Sequence, residues 1–386
     1  MPVLAQQGVN GPDQAAESKL RRMGKTAIPQ QYIVVLDEDT NPGNGDFFGA
    51  AQRASDLATE YGGEINHVYA HAIRGFSAKM TEEQALKLSH DPRVSFVEED
   101  SIIEIDVTQT NAPWGLDRID QRDRPLSGTY SYTANGSGVN VYIIDTGIRR
   151  THTQFGGRAV IGFDAINDGR NTTDCNGHGT HVAGTVGGST FGVAKAVRLF
   201  AVRVLNCSGS GTNSGVIAGV NWVTANRILP AVANMSLGGG ASSALDTAVR
   251  NSIAAGVTYA VAAGNSNQNA GNFSPARVGE AITVGSSTIN DGRSSFSNFG
   301  SVVDIFAPGS SIQSAWVTSD TATATLSGTS MASPHVAGVA ARVLQGNPGA
   351  SPATVRNDIV NQATLNRLSG IPSGTANRLL FRASTN

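Results

Sequence analysis

VNVYIIDTG, residues 139–147, is an apolar run that stops on a carboxylate and a glycine. Such a run reads as a strand buried on both faces, the kind found in a parallel sheet. Comparable runs follow at VRLFAVRVL (197–205), AVANMSL (231–237), VTYAVAA (257–263), EAITVGS (280–286) and VVDIFA (302–307). Helical patterns lie between several of them: HGTHVAGTVGG, NSGVIAGVNWVTAN, SALDTAVRNSIAAG and, near the end, SMASPHVAGVAARVLQ. Apolar strands alternating with helices predict an α/β fold on a largely parallel sheet flanked by helices. In such folds ligands gather beyond the carboxyl ends of the strands, so Asp145 and the Gly264-Asn265 pair after VTYAVAA stand where a site is expected.

Upstream the texture differs. Residues 1–30 are mostly polar, with Gly, Pro and Gln, and read as a flexible leader. From Gln31 the chain reads QYIVVL as a strand, then Phe47, Phe48, Ala51, Ala54, Leu57 and Tyr61 at helical spacing, then EINHVYAHAI and GFSAKM as strands. Thr81-Glu82-Glu83-Gln84 is a capping-box pattern opening a second helix, which ends near Asp91-Pro92. VSFVEED and SIIEI complete a β-α-β-β-α-β order, the ferredoxin-like α+β pattern. The expected domains are therefore 1–30, 31–106 and 107–386.

The 386 residues carry a formal net charge of −2 and no basic run, which predicts neither nucleic-acid nor membrane binding. No apolar stretch approaches the roughly 18 residues of a membrane span. The N-terminus lacks the charged and apolar regions of a signal peptide. Two cysteines, Cys175 and Cys207, allow a disulfide, a buried pair or two unrelated thiols.

A nucleophile is sought first in LSGTSMASPHVAG, residues 326–338. Ser330 opens the predicted helix, with Pro334 expected in its first turn, and so stands beside the positive end of the helix dipole. Ser327 precedes the turn and Ser333 lies inside the helix. A serine needs a base, and the base needs an orienting group. Of the seven histidines, His67, His71 and His90 belong to the small domain, and His335 shares the helix of Ser330 but points elsewhere. His178 in NGHGTHVAG is the better base, and Asp145 at its strand end the better orienter. Two other readings stay open. His178 and His181 could bind zinc with Cys175 nearby, although catalytic zinc takes three protein ligands; or the fold could be a catalytically silent binding module.

DTGI, NGHGTHVAG, AAGN and SGTSMASPHVAG, in that order, resemble the subtilisin-like serine proteases, in particular their proteinase K and aqualysin branch. The likeness runs from about NAPWGLDRID to GVAARVL, and residues 31–105 resemble the inhibitor propeptide that precedes such enzymes. The resemblance implies a serine endopeptidase made as a self-processing zymogen, with Asp145, His178 and Ser330 as triad and Asn265 as oxyanion donor. It places Gly209, Ser210 and Gly211 on one side of the substrate cleft, and Ser236, Leu237, Gly238, Ala262, Ala263 and Gly264 around a pocket for apolar or aromatic P1 side chains. It implies a Cys175–Cys207 disulfide and structural calcium at Asp117, Asp120 and Gln121, with a second site at Asp304 and the carbonyls of Gly279 and Ala281. No organic cofactor is expected. The partners implied are polypeptide substrates and the chain's own propeptide; the chain is expected to be a secreted monomer, cut between about Ile105 and Thr108.

Overall fold

The computed structural model describes residues 19–24, 27–37, 47–101 and 107–384. The leader up to residue 18, the predicted strand end at 102–105 and the expected cleavage segment lie largely outside these residues. The chain divides into two compact units, with the division at residues 104/105.

The first unit is built from β1 (Ala27–Leu36), α1 (Phe47–Tyr61), β2 (Glu64–Tyr69), β3 (Gly75–Lys79), α2 (Glu82–Leu88) and β4 (Val94–Ser101). Its sheet runs β4-β1-β3-β2, every one of these pairs antiparallel, with the short strand Leu20–Arg21 added beside β4. The capping box is present at α2: the Gln84 N–H donates to Thr81 Oγ1, and the Thr81 N–H donates to Gln84 Oε1. Tyr32, Val34 and Leu36 alternate inward to meet Ala54, Leu57 and Leu88, which gives this unit a core of its own.

In the second unit the sheet strands and main helices are β5 (Asn140–Asp145), β6 (Ala159–Asp164), α3 (His178–Gly187), β7 (Arg198–Arg203), α4 (Asn213–Asn226), β8 (Ala231–Met235), α5 (Ser243–Ala254), β9 (Val257–Ala262), β10 (Ile282–Ser287), β11 (Ile305–Pro308), α6 (Thr329–Gly346) and α7 (Pro352–Gln362). The strands pair in parallel in the order β11-β10-β9-β8-β5-β7-β6, and the short strands Arg378–Leu379 and Thr364–Leu365 extend the β11 edge. Val141 and Ile143 of β5 face one core with Val182 and Val186 of α3 and Val336 of α6. Tyr142 and Ile144 face the other, with Val216 and Val220 of α4 and Val249 of α5. Burial on both faces is the reason the strand sequences are apolar without alternation.

This order positions the site. From β5 the chain builds β6 and β7 on one side, then crosses to build β8 to β11 on the other. The crevice at such a reversal opens beyond the carboxyl end of β5, where Asp145 sits. Edge strand β6 and helix α7 were not among the predicted elements.

Candidate active site

Asp145 ends β5 with no exposed surface. Its Oδ1 accepts the Thr146 N–H at 2.7 Å and lies 2.8 Å from Nδ1 of His178, with Oδ2 3.0 Å from the same nitrogen. A buried carboxylate so close to Nδ1 sets the tautomer: Nδ1 carries the proton and Nε2 is left as acceptor. Partial burial lowers the proton affinity of this imidazole. The charge and hydrogen bond of Asp145 outweigh that, helped by the charge of Asp174, so His178 titrates above its ordinary 6.5. The same carboxylate holds the ring so that Nε2, not Nδ1, is the nitrogen turned away from Asp145.

His178 is the first residue of α3, and the residue before it is Gly177, with φ of +111°. A side chain there would be strained, and a Cβ would stand 2.6 Å from the Trp316 ring. Glycine is therefore required at the position that usually carries a capping side chain.

Ser330 is the second residue of α6 and is partly exposed. Its hydroxyl donates to the Ser236 carbonyl at 3.0 Å. The proline expected in the first turn stands instead as the sixth residue of the helix, because α6 starts at Thr329. Pro334 has no N–H to give to the carbonyl four residues back, which belongs to Ser330. That carbonyl accepts from Ser236 Oγ at 2.8 Å instead. The vacated helix bond thus clamps the serine turn to the segment after β8. Ser333 is buried and donates to Asn234 Oδ1, and Ser327 Oγ accepts the Ser311 N–H, so both have structural work.

Asn265 follows β9. Its Oδ1 accepts both the N–H (2.8 Å) and the hydroxyl (2.9 Å) of Thr329. Two donors on the oxygen leave the NH₂ end as the one available to a ligand. Buried Asn298 steadies the same loop, donating to the Ala263 carbonyl and accepting the Ser266 and Gln268 N–H groups. Thr329 and Asn298 were not singled out in the sequence; the hydrogen bonds that give them a role cross 30 or more positions.

His178, Asn176, Gly209, Ser210, Gly211, Ser236, Leu237 and Gly238 line one cleft of about 520 Å³. Leu237 and Gly238 continue into a cavity of about 230 Å³ with Ala263, Gly264, Asn265 and Ser330. The second cavity also takes in Ala262, Phe273 and Ala276, of which only the last two were not expected. The expected cleft residues are therefore gathered around two adjoining cavities.

The Subtilase family model matches residues 136–380, and Peptidase inhibitor I9 matches residues 31–106. The chain belongs to the subtilase family. It is a serine endopeptidase preceded by an inhibitor-type propeptide. An extracellular serine proteinase of a Thermus species is 51% identical over 368 residues, covering 92% of this chain and 90% of that protein. Alkaline serine exoprotease A of Vibrio alginolyticus is 51% identical over 364 residues, covering 92% of this chain and 68% of that protein. The crystal structure of a cold adapted subtilisin-like serine proteinase is 57% identical, with a TM-score of 0.69, covering 70% of this chain and 98% of that one.

In this subtilase Cys175 and Cys207 are joined as a disulfide. That removes Cys175 as a zinc ligand. His181 is buried, with Nε2 against the Ile312 and Ala324 carbonyls at 3.0 and 3.2 Å, and burial lowers its pKa to about 4. It turns into the core while His178 lines the cleft, so the zinc pair does not form.

The two calcium sets differ in fit. Asp117 accepts from the Ser127 N–H and hydroxyl and the Gly128 N–H, Asp120 from the Ser131 N–H, and Gln121 Oε1 from the Ser127 N–H. Three oxygen-bearing side chains converge on one short segment, and no arginine or lysine ion pair compensates either carboxylate among the described residues. Hard oxygen donors of this kind suit calcium. At Asp304 one oxygen accepts the Thr283 N–H and the other pairs with the Arg356 guanidinium. Here the Asp304 carboxylate is ion-paired with an arginine, which the 117–121 set lacks among the described residues. No helix among the described residues is long and apolar enough to cross a membrane.

Proposed function

We propose that this subtilase is a secreted, self-processing endopeptidase working through an Asp145-His178-Ser330 triad. The observation that carries the reading is the buried Asp145 carboxylate 2.8 Å from Nδ1 of a histidine lining the cleft. Ser330 Oγ leaves the Ser236 carbonyl and passes its proton to His178 Nε2 as its bond to the scissile carbon forms. The carbonyl electron pair moves to oxygen, where the Asn265 NH₂ and the Ser330 N–H meet the charge. Collapse expels the amine, which takes the proton from His178. Water then cleaves the acyl-enzyme by the same steps. The smaller cavity, walled by Ala262, Ala263, Ala276 and Phe273, suits apolar or aromatic P1 side chains and discriminates weakly between them.

A fluorophosphonate probe tests the nucleophile. Labelling is expected at Ser330 alone, and its rate falls as the pH is lowered through a value above 6.5, because the protonated imidazole can no longer accept the serine proton. A label found on another residue by peptide mass mapping sinks the assignment.

Asp117, Asp120 and Gln121 would hold a calcium ion that supplies positive charge to the 117–131 segment and takes no part in the chemistry. A ligand present at a hundred times its Kd stabilises by about 2.7 kcal/mol, which for a domain of this size is roughly 5–10 °C in Tm. A chelator is expected to lower the wild-type Tm by that amount and to leave Asp120→Asn unmoved. An unchanged wild-type Tm ends the proposal.

A further inference from the structure

The Asp145–His178 geometry requires that the end of β5 and the start of α3 hold still relative to each other, yet Gly177 offers no capping side chain. Asp174 fills that gap. It is 4% exposed. Its Oδ1 accepts from the Asn176 N–H, the Gly177 N–H and Thr146 Oγ1, each at 2.9 Å. Its Oδ2 accepts from the Thr180 N–H at 2.9 Å and Thr180 Oγ1 at 2.6 Å. Every one of these partners is a donor, so the site is built for a carboxylate and has no place for an amide NH₂.

The network joins two elements. The Thr146 hydroxyl that donates to Asp174 also accepts the Gly179 N–H at 2.9 Å. Thr146 follows Asp145 directly, and Gly179 follows His178. One side chain therefore stitches the residue after the acid to the residue after the base, and Asp174 holds that side chain from behind. Its approach depends on Gly147, whose φ is +105° and where a Cβ would come within 2.5 Å of the Thr172 carbonyl. The Ile148 N–H donates to that same carbonyl and fastens the 172–174 segment to the strand end. A negative charge at this end of α3 is also favoured by the helix dipole.

We infer that Asp174 is a positioning residue for catalysis: its carboxylate caps the helix that carries the base and, through Thr146, fixes the distance between Asp145 and His178. The inference rests on the triad reading above. The titratable groups facing His178 are Asp145 from β5, Asp174 from the preceding loop and His181 from its own helix, the last held neutral by burial. Removing the Asp174 charge leaves Asp145 as the one carboxylate beside the imidazolium, so the base should titrate lower.

The experiment compares wild type, Asp174→Asn, Thr146→Val and Ser330→Ala, each counted by active-site titration where it turns over. For Asp174→Asn, kcat is expected to fall by about 10–100-fold, the scale on which misplacement of a catalytic group acts, with KM within about threefold. The acidic limb of its kcat/KM profile moves to lower pH. Thr146→Val keeps the charge and breaks the stitch, so kcat falls by several-fold with a smaller displacement of the limb. An Asp174→Asn enzyme with unchanged kcat per titrated site and an unmoved limb, whatever its Tm, makes Asp174 a structural tether and overturns the inference. If Asp174→Asn does not fold, an unchanged kcat in Thr146→Val overturns it equally. Hydrolysis surviving in Ser330→Ala would remove the triad reading itself, a result separate from either.

Discussion

Ser330→Ala is expected to stay full length when expressed alone, and to lose peptide hydrolysis by a factor on the order of 10⁶ in kcat, a magnitude measured in subtilisin rather than derived from this geometry. Without Oγ no acyl-enzyme forms, and His178 has no proton to take. The rest of the machinery remains: Asn265 is still fixed by Thr329, the cleft still binds an extended peptide, and the Ser236 hydroxyl still holds the residue-330 carbonyl. The residual rate over water should come from those parts alone. Intact mass of the purified protein beside wild type reads both consequences. Wild type should appear as a fragment beginning near residues 106–108. If both proteins remain uncut, self-processing is wrong, while hydrolysis of a peptide by wild type alone would still support the triad. If both are cut alike and both hydrolyse peptide, Ser330 is not the nucleophile.

The part of this site that could be read in the sequence is the part encoded locally. The apolar runs that became β5, β7, β8 and β9 needed no partner to be recognised, since burial on both faces writes itself into each strand separately. Helix α4 begins where Thr212 can cap it, and its hydroxyl accepts the Gly215 N–H. The catalytic candidates were legible because strand ends and helix starts are where an α/β sheet exposes chemistry. Edge strand β6 was not. Most of its residues are only half-buried, with Ile161 half in solvent, and glycine interrupts it. Interactions across long separations were invisible too. Nothing near Asp304 announces that Arg356 takes its second oxygen, and nothing in NGHGTHVAG says that the Gly179 N–H is met by the Thr146 hydroxyl. Pro334 was seen but placed in the first turn rather than the second; the difference mattered, because only beyond the first turn does proline leave a carbonyl of its own helix, that of Ser330, for Ser236.

Asp145→Asn gives the second large effect, and it separates orientation from charge. The amide is the same size, and its oxygen can go on accepting the Thr146 N–H, which at 2.7 Å is the partner it cannot easily lose. The NH₂ end is then turned toward His178, where a donor meets Nδ1. Nδ1 must accept, so the ring proton shifts to Nε2, the atom that has to receive the serine proton. The imidazolium formed during turnover also loses the adjacent negative charge. In triads of this chemistry the exchange lowers kcat by about 10⁴ with the geometry intact. The acid also raises the proton affinity of His178, so the acidic limb of whatever activity remains should lie below that of wild type. Activity should recover in part at high pH, where hydroxide substitutes for the missing base. Steady-state kinetics from pH 5 to 11 on titrated enzyme, with the fold checked by Tm, decide the matter. A variant that keeps wild-type kcat at neutral pH would show that the carboxylate neither sets the tautomer nor stabilises the ion, and the role assigned to Asp145 would fall.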